Sequence, residues 1–264
     1  MVKIVLIGFG AINRHVVDVL SRTAPEVQIA AIGLPPGHEL VGGVPGARLV
    51  TEPEALREIR PDMVVEAASR EAVSAWGEAA LMYCPTFIVS SASALADDIF
   101  SDRMHRLAIA NGSRLIVSSG AVAGIDALAA VSLAGVDMLH HEIIKPPAAW
   151  QGTPADALLD GVFTAPVSFF SGTARQAGMA FPANANVAVI TAKGSGAGLD
   201  AARVELVADP SATENRHRIT AAGVFGTIRV EVDNKPLKAN PKSSQLAALA
   251  LARLVLLQMP GVRF

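Results

Sequence analysis

One histidine of this chain has neighbours that suit a proton-transfer group. His217 follows Glu214 and Asn215 at the start of an expected strand, and both neighbours carry groups that can orient an imidazole ring. Imidazole has an unperturbed pKa of about 6.5, so this side chain suits general acid–base catalysis. From spacing alone, a surface histidine between Arg216 and Arg218 is an equally good interpretation.

A glycine-rich loop stands at the start of the chain. The largely apolar expected strand Val2–Ile7 leads directly into Gly-Phe-Gly-Ala-Ile-Asn at residues 8–13. In such a loop the first glycine permits the tight turn, and the second lets the backbone approach a pyrophosphate at a helix N-terminus. Asn13 replaces the third glycine, whose position serves helix–strand packing more than phosphate contact. Against an ordinary glycine turn, the pattern favours a dinucleotide held by Gly8, Gly10, Ala11 and Ile12.

The residues after the second expected strand normally distinguish NAD from NADP. An acidic side chain there binds the ribose diol, whereas an arginine accepts a 2′-phosphate. This chain has Gly-Leu-Pro-Pro at residues 33–36, which offers neither group. The cofactor is therefore NAD or NADP, with the preference open.

The elements that would position these residues fall into two patterns. The first 120 residues alternate short apolar runs with amphipathic segments, which predicts a parallel sheet with right-handed crossovers. We expect strands at Lys3–Ile7, Val27–Ile32, Met63–Glu66, Thr86–Ser90 and Arg114–Ser118. We expect helices at Ala11–Arg22, Glu52–Ile59, Arg70–Met82 and Asp98–Asn111.

After Gly120, strands predominate and predict a mostly antiparallel second sheet. The expected strands are Met138–Ile144, Val167–Ser171, Arg203–Ala208, Arg218–Ala222 and Thr227–Val232, the last two pairing through residues 223–226. The expected helices are Thr173–Ala180, Ala183–Ala192 and a final one over Lys242–Met259 that packs back toward the first domain.

The fold class is thus α/β, with an N-terminal Rossmann parallel sheet and a second α+β domain. We place the dinucleotide-binding domain at residues 1–121 plus the C-terminal helix 242–264. Residues 122–241 form the second domain, which we expect to bind the substrate and to form the dimer.

Composition excludes several classes of protein. The net charge is −2 and there is no run of Lys or Arg, so nucleic acid is not an expected partner. The apolar stretch Leu246–Met259 is broken by Arg253 and is too short for a bilayer, and the chain enters a strand at once, so we expect a cytoplasmic protein without a membrane partner. Cys84 is alone, which leaves no disulfide and no thiolate metal site.

Several other polar groups have ordinary structural interpretations. His140 and His141 are adjacent on an expected strand, so they point to opposite faces and cannot hold one metal together. We expect no metal site, and a buried, unreactive Cys84. Trp76 is an expected core residue, while Glu66 has two equally good roles: orienting the cofactor or capping a turn.

Five short strings in the second half are more specific. They are Ser-Gly-Ala-Val-Ala-Gly-Ile-Asp-Ala at 119–127, Lys-Pro-Pro-Ala-Ala-Trp at 145–150, Phe-Pro-Ala-Asn-Ala-Asn-Val-Ala at 181–188, Glu-Asn-Arg-His at 214–217 and Ala-Asn-Pro-Lys-Ser-Ser at 239–244. In this order on a dinucleotide-binding chain, they resemble the L-aspartate dehydrogenase family. The resemblance runs from Met1 to the C-terminal helix, with Asn13 as the main departure.

The resemblance implies NAD(P)-dependent oxidation of L-aspartate to iminoaspartate, which hydrolyses to oxaloacetate and ammonia. It also implies a homodimer, which the apolar composition favours as well. A link to NAD biosynthesis is implied too. By resemblance, His217 is the active-site histidine, and Ala121 and Asn186 contact the nicotinamide cofactor.

A substrate with two carboxylates needs cations or helix N-termini around it. Lys145 ends an expected strand, Lys242 opens the expected last helix, and Arg175 lies in the first turn of another; each is otherwise a solvated surface charge. Asn240 precedes that last helix, where Ser243 and Ser244 either cap it or reach a carboxylate.

Two alternatives stay open at this point. One is a sister dehydrogenase or reductase of the homoserine dehydrogenase or dihydrodipicolinate reductase type, although the clustered His and Lys motif of the latter is not evident. The other is a protein that senses NAD(P) without turnover, against which His217 argues.

Overall fold

The computed structural model describes residues 1–159, 163–182 and 184–261, apart from the side chains of residues 241 and 242. The chain divides into two compact units. One comprises Met1–Ser118 together with the chain from Ala247 onward, and the other comprises Ser119–Leu246.

The first unit is built on a six-stranded parallel sheet. Its strands are β1 (Val2–Ile7), β2 (Val27–Gly33), β3 (Arg48–Val50), β4 (Met63–Glu66), β5 (Thr86–Val89) and β6 (Arg114–Val117). The order β3-β2-β1-β4-β5-β6 is the doubly wound order of a Rossmann domain, with its switch point between β1 and β4. The sequence-based fold class is therefore confirmed; the short strand β3 was not expected.

Helices cover both faces of this sheet. They are α1 (Ala11–Thr23), α2 (Ala55–Ile59), α3 (Arg70–Tyr83) and α4 (Asp98–Asn111). The sheet is apolar on both sides, because alternate residues of β1 belong to two different core clusters: Val5 and Ile7 to one, Ile4 and Leu6 to the other. Helix α2 begins later than the expected Glu52, since the chain first makes tight i→i+3 turns around Pro53.

The second unit contains a five-stranded sheet in the order β11-β10-β7-β9-β8. Its strands are β7 (Met138–Lys145), β8 (Val167–Thr173), β9 (Arg203–Ala208), β10 (Asn215–Gly223) and β11 (Gly226–Asn234). β7 and β9 run parallel and the other neighbours antiparallel, as expected. The hairpin of β10 and β11 closes at Gly223 opposite Gly226, also as expected.

The described part of the second unit contains three α-helices: α5 (Ile125–Ser132), α6 (Ala174–Ala180) and α7 (Asn186–Gly194). Helix α5 was not expected. Helix α7 starts at Asn186 rather than at Ala183, which lies outside the described residues, because the backbone N–H groups of Asn184 and Ala185 first close a turn on the carbonyl of Phe181.

The start of the last helix was predicted wrongly. A hairpin precedes it, formed by β12 (Pro236–Leu237) and β13 (Asn240–Ser244), and the helix α8 spans Gln245–Leu257. Lys242 therefore lies in a strand and does not open a helix. The reason is that Asn240 precedes a proline and so favours an extended backbone, which pairs with β12. Helix α8 contributes to the first unit's core through Ala248, Leu251, Ala252 and Val255.

None of the helices in the described ranges is both long enough and apolar enough to cross a membrane.

Candidate functional site

His217 lies on the inner face of the second unit's sheet. It is the third residue of β10, and its exposed fraction is 2%. Arg216 and Arg218 point to the outer face, where they pair with Asp233 at 2.6 Å and Glu231 at 3.3 Å. The surface interpretation of His217 is therefore wrong, because strand alternation sends it inward while its charged neighbours stay half-exposed.

The partner of the His217 ring is another histidine, not Glu214 or Asn215. Nδ1 of His217 lies 3.2 Å from Nε2 of His141 on β7. Nδ1 of His141 in turn lies 3.1 Å from the hydroxyl oxygen of Thr191 on α7. All three side chains are buried, so they form a continuous chain of hydrogen bonds under the sheet.

Burial keeps both imidazoles neutral. It is the main cause that lowers the pKa of His141 to about 3, with a further contribution from the charge of His140. Burial also lowers the pKa of His217 well below its ordinary value, and the charges of His141 and Lys145 add to the effect. At neutral pH, His217 is thus an unprotonated base.

Lys145 is a buried amine at the end of β7, on the same face as His141. Its Nζ donates to the carbonyl of Asn184 at 3.3 Å and lies 5.5 Å from the ring centroid of Trp150. Burial lowers the pKa of Lys145 to about 8, so the ammonium is still the main form at neutral pH. A buried cation whose contacts with the described residues are a carbonyl and a ring is well suited to receive a carboxylate.

Two asparagines opposite each other in the β10–β11 ladder connect the remaining candidates. The side-chain amide of Asn215 donates to the hydroxyl of Ser244 at 3.3 Å. The amide of Asn234 donates to the carbonyl of Ala121 at 2.8 Å. Both asparagines are buried, so the expected cofactor contact Ala121 and the expected substrate contact Ser244 are fixed to one sheet.

The turn that contains Ala121 packs on helix α7. Gly120 has a φ of +61°, and a Cβ there would lie 3.2 Å from Ile190 and 3.5 Å from Val187. Asn186, the other expected cofactor contact, is the first residue of α7 and is half-buried. The structure therefore places these two expected residues on adjoining elements.

A cleft of about 370 Å³ lies at the edge of the sheet beside these residues. Its lining consists of Pro146, Ala148, Ala149, Thr213, Glu214, Asn215, Pro236 and Asn240. The amide of Asn240 donates to the hydroxyl of Ser243 at 3.1 Å. Asn240 therefore borders a space large enough for a small dicarboxylate, and Ser243 is hydrogen-bonded to Asn240.

Neither Lys145 nor Arg175 is among the described lining residues of this cleft. The guanidinium of Arg175 makes two hydrogen bonds of 2.8 Å to the carboxylate of Asp200, so it already has an anionic partner. The side chain of Lys242 lies outside the described part of the structure.

The glycine-rich loop of the first unit has the conformation that a pyrophosphate needs. Gly8 has a φ of +82°, and a Cβ there would lie 2.6 Å from that of Ala68. Gly10 caps α1, and a Cβ there would meet no atom within 4 Å, so the approach to the helix N-terminus is open. Asn13 is buried, and its amide donates to the carbonyls of Ile7 at 3.1 Å and Gly8 at 2.7 Å. The asparagine that replaces the third glycine thus holds the two ends of the loop together by hydrogen bonds and does not block the helix N-terminus.

A second cavity, of about 520 Å³, adjoins this loop at the carboxyl end of β2. Its lining residues are Ile7, Gly8, Gly33, Pro35, Pro36, Thr51, Glu52, Pro53, Ala68, Ser69, Glu71, Ala72, Ala75 and Trp76. Within this lining there is no lysine or arginine. Position, size and the open helix terminus fit the adenosine half of a dinucleotide.

The structure settles three of the remaining interpretations. Glu66 caps a turn: its carboxylate accepts from the backbone of Ala68 and from the backbone and hydroxyl of Ser91. Trp76 is in the core, although one edge of its ring also lines the second cavity. Cys84 is buried, and burial is the main cause that raises its pKa to about 11.

His140 and His141 point to opposite faces, as expected. On the outer face, ligand atoms of His140, Glu142 and Glu205 lie within 4.8 Å of one another. The carboxylate of Glu142 is paired with Arg218 at 3.8 Å, and that of Glu205 with His140 at 3.7 Å. The Glu142–Arg218 ion pair and the contact between Glu205 and His140 account for the cluster as a polar outer surface of the sheet.

Sequence reasoning missed His141, Thr191, Asn184 and Asn234. A signal for His141 was present, because it lies four residues before Lys145 on the same strand and therefore on the same face. Thr191 and Asn234 had no local signal, since their partners are 50 and 113 residues away.

Known families match both units of the chain. The pattern described as "Aspartate dehydrogenase, C-terminal" matches residues 126–257. The pattern described as "Homoserine dehydrogenase, NAD binding domain" matches residues 8–118.

Individual relatives agree over nearly the full length. The L-aspartate dehydrogenase of Brucella anthropi is 46% identical over 255 residues, which is 96% of this chain and 94% of that protein. The L-aspartate dehydrogenase of Serratia proteamaculans is 41% identical, covering 95% of this chain and 94% of its own.

Solved structures show the same fold. The crystal structure of aspartate dehydrogenase from Thermotoga maritima matches with a TM-score of 0.78 at 23% identity, covering 100% of this chain and 99% of that chain. A hyperthermophilic archaeal homoserine dehydrogenase in complex with NADPH matches with a TM-score of 0.62 at 12% identity, covering 99% of each chain.

Proposed function

This chain belongs to the aspartate dehydrogenase family, and on that premise we propose that it catalyses the NAD(P)-dependent oxidation of L-aspartate. The product is iminoaspartate, which water converts reversibly to oxaloacetate and ammonia. The observation that carries the proposal is one buried face of one sheet. It presents a neutral imidazole, His217, and a buried amine, Lys145.

His217 is the base of the proposed reaction. An ammonium group cannot release electron density into its Cα–H bond, so the substrate amine must first lose a proton. His217 accepts that proton, and later assists the attack of water on the imine carbon. Its lowered pKa supports this role, because the ring is unprotonated when the substrate arrives.

Lys145 binds one carboxylate of the substrate in this proposal. The arriving negative charge compensates a buried ammonium and offsets its repulsion of a protonated His217. Binding of the dicarboxylate thereby raises the pKa of His217 toward the range in which it is an effective base. Asn240, Ser243 and Ser244 supply hydrogen bonds, and Lys242 and Arg175 remain candidates for the second carboxylate.

The residues present fit a nicotinamide dinucleotide. Gly8, Gly10, Ala11 and Ile12 hold the pyrophosphate, and Ala121 and Asn186 contact the nicotinamide end. When bound, NAD(P)⁺ supplies the acceptor for the hydride that leaves Cα. We assign dinucleotide binding to residues 1–121 with 242–264, and substrate binding to residues 122–241.

The proposal extends to assembly and cellular role. We propose a homodimer formed through the outer face of the second unit's sheet, where arginines and carboxylates alternate on β10 and β11. A monomer in light scattering at micromolar concentration would contradict the homodimer.

We also propose that the enzyme is cytoplasmic and that its iminoaspartate feeds NAD biosynthesis. Cell fractionation checks the location. Loss of growth without exogenous pyridine nucleotide precursors, in cells that lack the enzyme, checks the role in biosynthesis.

The decisive experiment follows absorbance of the reduced nicotinamide with purified protein, L-aspartate and either NAD or NADP at alkaline pH. L-Glutamate, L-alanine, D-aspartate and L-homoserine are the controls. We expect an increase with L-aspartate alone, and the reverse reaction with oxaloacetate, ammonia and reduced cofactor. No change in either direction would reject the substrate assignment.

A further inference from the structure

Three buried side chains form a directed chain of hydrogen bonds that ends at His217. Thr191 and His141 have no exposed surface, and His217 is 2% exposed. The contacts are 3.1 Å from the Thr191 hydroxyl to Nδ1 of His141, and 3.2 Å from Nε2 of His141 to Nδ1 of His217. Water has little access to these side chains, so the three ring nitrogens in these two contacts must be satisfied by their protein partners.

The direction of the chain is fixed at Thr191. Its hydroxyl oxygen lies 3.1 Å from the carbonyl oxygens of both Val187 and Ala188 in the preceding turn of α7. The hydroxyl has a single proton, and these two carbonyl oxygens, which can only accept, compete for it with one ring nitrogen, which favours its donation to the helix. The hydroxyl therefore offers His141 a lone pair, and Nδ1 of His141 must carry the proton of that hydrogen bond.

The tautomer of each ring follows in turn. A neutral imidazole has one N–H, and burial keeps His141 neutral, so its Nε2 is an acceptor. The hydrogen bond between the two rings then requires the proton on Nδ1 of His217. The only remaining lone pair of the His217 ring is on Nε2.

We propose that Thr191 and His141 are positioning residues that hold His217 in the tautomer protonated on Nδ1, so that Nε2 is the basic atom of the site. The inference deepens the proposed function, in which His217 accepts a proton from the substrate. The opposite direction would place a proton on Nε2 of His217 and remove the atom that has to accept.

The chain also stabilises the ring after it accepts a proton. Protonated His217 is an imidazolium whose Nδ1–H still donates to Nε2 of neutral His141, so the charge is solvated without rearrangement. The titratable neighbours are His141 and Lys145 on β7 for His217, and His140 for His141. Of these, Lys145 opposes protonation until a carboxylate compensates it.

Long-range ¹H–¹⁵N NMR on the full protein labelled at histidine nitrogen tests the proposal directly. The chain has six histidines, and the His217 signals are identified by their loss in His217→Asn. We expect Nδ1 of His217 to show the chemical shift of a protonated nitrogen, and Nε2 that of an unprotonated one. A protonated Nε2 in the resting protein would overturn the proposal.

Two matched substitutions at Thr191 separate positioning from packing. Thr191→Val keeps the shape but removes the acceptor, so we expect the His217 proton to shift toward Nε2 and kcat to fall by about 10²-fold, with KM for aspartate little changed. Thr191→Ser keeps the hydroxyl and should retain both the tautomer and kcat. If Thr191→Val leaves both the His217 tautomer and kcat unchanged, Thr191 does not position His217.

A second pair at His141 gives an independent result. His141→Gln retains a carbonyl oxygen that can accept from His217 and an amide that can donate to Thr191, whereas His141→Leu retains neither. We expect Gln to preserve the Nδ1–H tautomer and Leu to lose it, with dinucleotide affinity equal in both. If wild-type His217 has the Nδ1–H tautomer but the protein does not oxidise aspartate, the proposed function fails and the positioning role of Thr191 and His141 stands. If the protein oxidises aspartate with the proton on Nε2 of His217, only the positioning role is rejected.

Discussion

Asn234 donates its side-chain amide to the carbonyl oxygen of Ala121 at 2.8 Å, a contact between residues 113 positions apart. Asn234 is buried and lies opposite Asn215 in the ladder, so the turn that carries Ala121 is held by a strand that is distant in sequence. Asn234→Ala leaves a buried carbonyl unpaired, which costs about 1–3 kcal/mol of stability.

We expect Asn234→Ala to bind the dinucleotide more weakly, since the turn of Ala121 loses its fixed position. Fluorescence titration with reduced cofactor measures the affinity, and urea denaturation measures the stability. Asp233→Asn is the matched control, because Asp233 lies on the same strand but points to the outer face. Affinity equal to wild type in a folded Asn234→Ala protein would argue against a cofactor contact at Ala121.

Asn13 closes the glycine-rich loop with two hydrogen bonds. Asn13→Gly removes both hydrogen bonds. The carbonyl of Ile7 keeps the backbone N–H of Ala67, whereas the carbonyl of Gly8 loses the side-chain donor, so we expect a loss of about 1–3 kcal/mol in the free energy of unfolding and about tenfold weaker dinucleotide binding. Asn13→Asp should be worse, because a carboxylate would face two carbonyl oxygens.

The control is Asn111→Ala, which removes an exposed amide-to-carbonyl hydrogen bond of 2.9 Å at the end of α4. Calorimetric titration with NAD and urea denaturation supply both readouts. If Asn13→Gly is as stable as the wild type and binds NAD with the same affinity, the loop does not need the two hydrogen bonds of Asn13.

Lys145 gives the binding of dicarboxylates a defined pH dependence. Its pKa is lowered to about 8 in the free protein, so the ammonium is present below that pH and is lost above it. We expect the Kd of succinate, an unreactive analogue, to be constant below pH 8 and to rise above it by up to tenfold per pH unit, because only the charged amine attracts a carboxylate.

Isothermal titration calorimetry across this range checks the profile. Lys145→Met should bind succinate weakly and without the increase above pH 8, whereas Lys193→Met, which alters an exposed lysine, should follow the wild type. A wild-type Kd that stays flat to pH 10 would exclude Lys145 from carboxylate binding.

The cavity at the carboxyl end of β2 predicts a preference for NAD. Its lining contributes Glu52 and Glu71 and no lysine or arginine. The guanidinium of Arg14 donates to the carbonyls of Phe9 and Val41 instead. The 2′-phosphate of NADP would therefore meet negative charge without a cationic partner, and we expect at least about tenfold weaker binding than for NAD.

Calorimetry with each dinucleotide measures the difference without turnover. Glu52→Gln should narrow the gap by improving NADP alone, while Glu54→Gln, an exposed carboxylate outside the cavity lining, should leave it unchanged. Equal affinities in the wild-type protein would contradict the prediction.

The periodic parts of the fold were predictable because they depend on local patterns. Runs such as Ile4–Ile7 and Met63–Val65 are apolar throughout, and a strand buried on both faces needs no more than that. The position of His217 near a strand was readable in the same way. Its burial and its partner were not, since they depend on which strand pairs with β10 and in which register.

At Lys242, by contrast, the local sequence pattern predicted the wrong secondary structure. The segment after it has strong helix propensity, and extending that helix back through Ser243 and Ser244 is the natural reading of the sequence. The hairpin overrides this propensity, because β13 pairs with β12 at Pro236 and Leu237. No periodic pattern in the sequence predicts this pairing. Residues beside a candidate site are thus the ones whose local propensity is least informative.

Cys84 is the single thiol of the chain, buried beneath the Rossmann sheet with its pKa raised to about 11. It is therefore nearly inert to maleimides and to mild oxidants, which react with exposed thiolates. Any cysteine introduced on the surface becomes the only reactive thiol without prior removal of the native one. The natural sequence is in this sense already a background for attaching a single fluorophore or spin label.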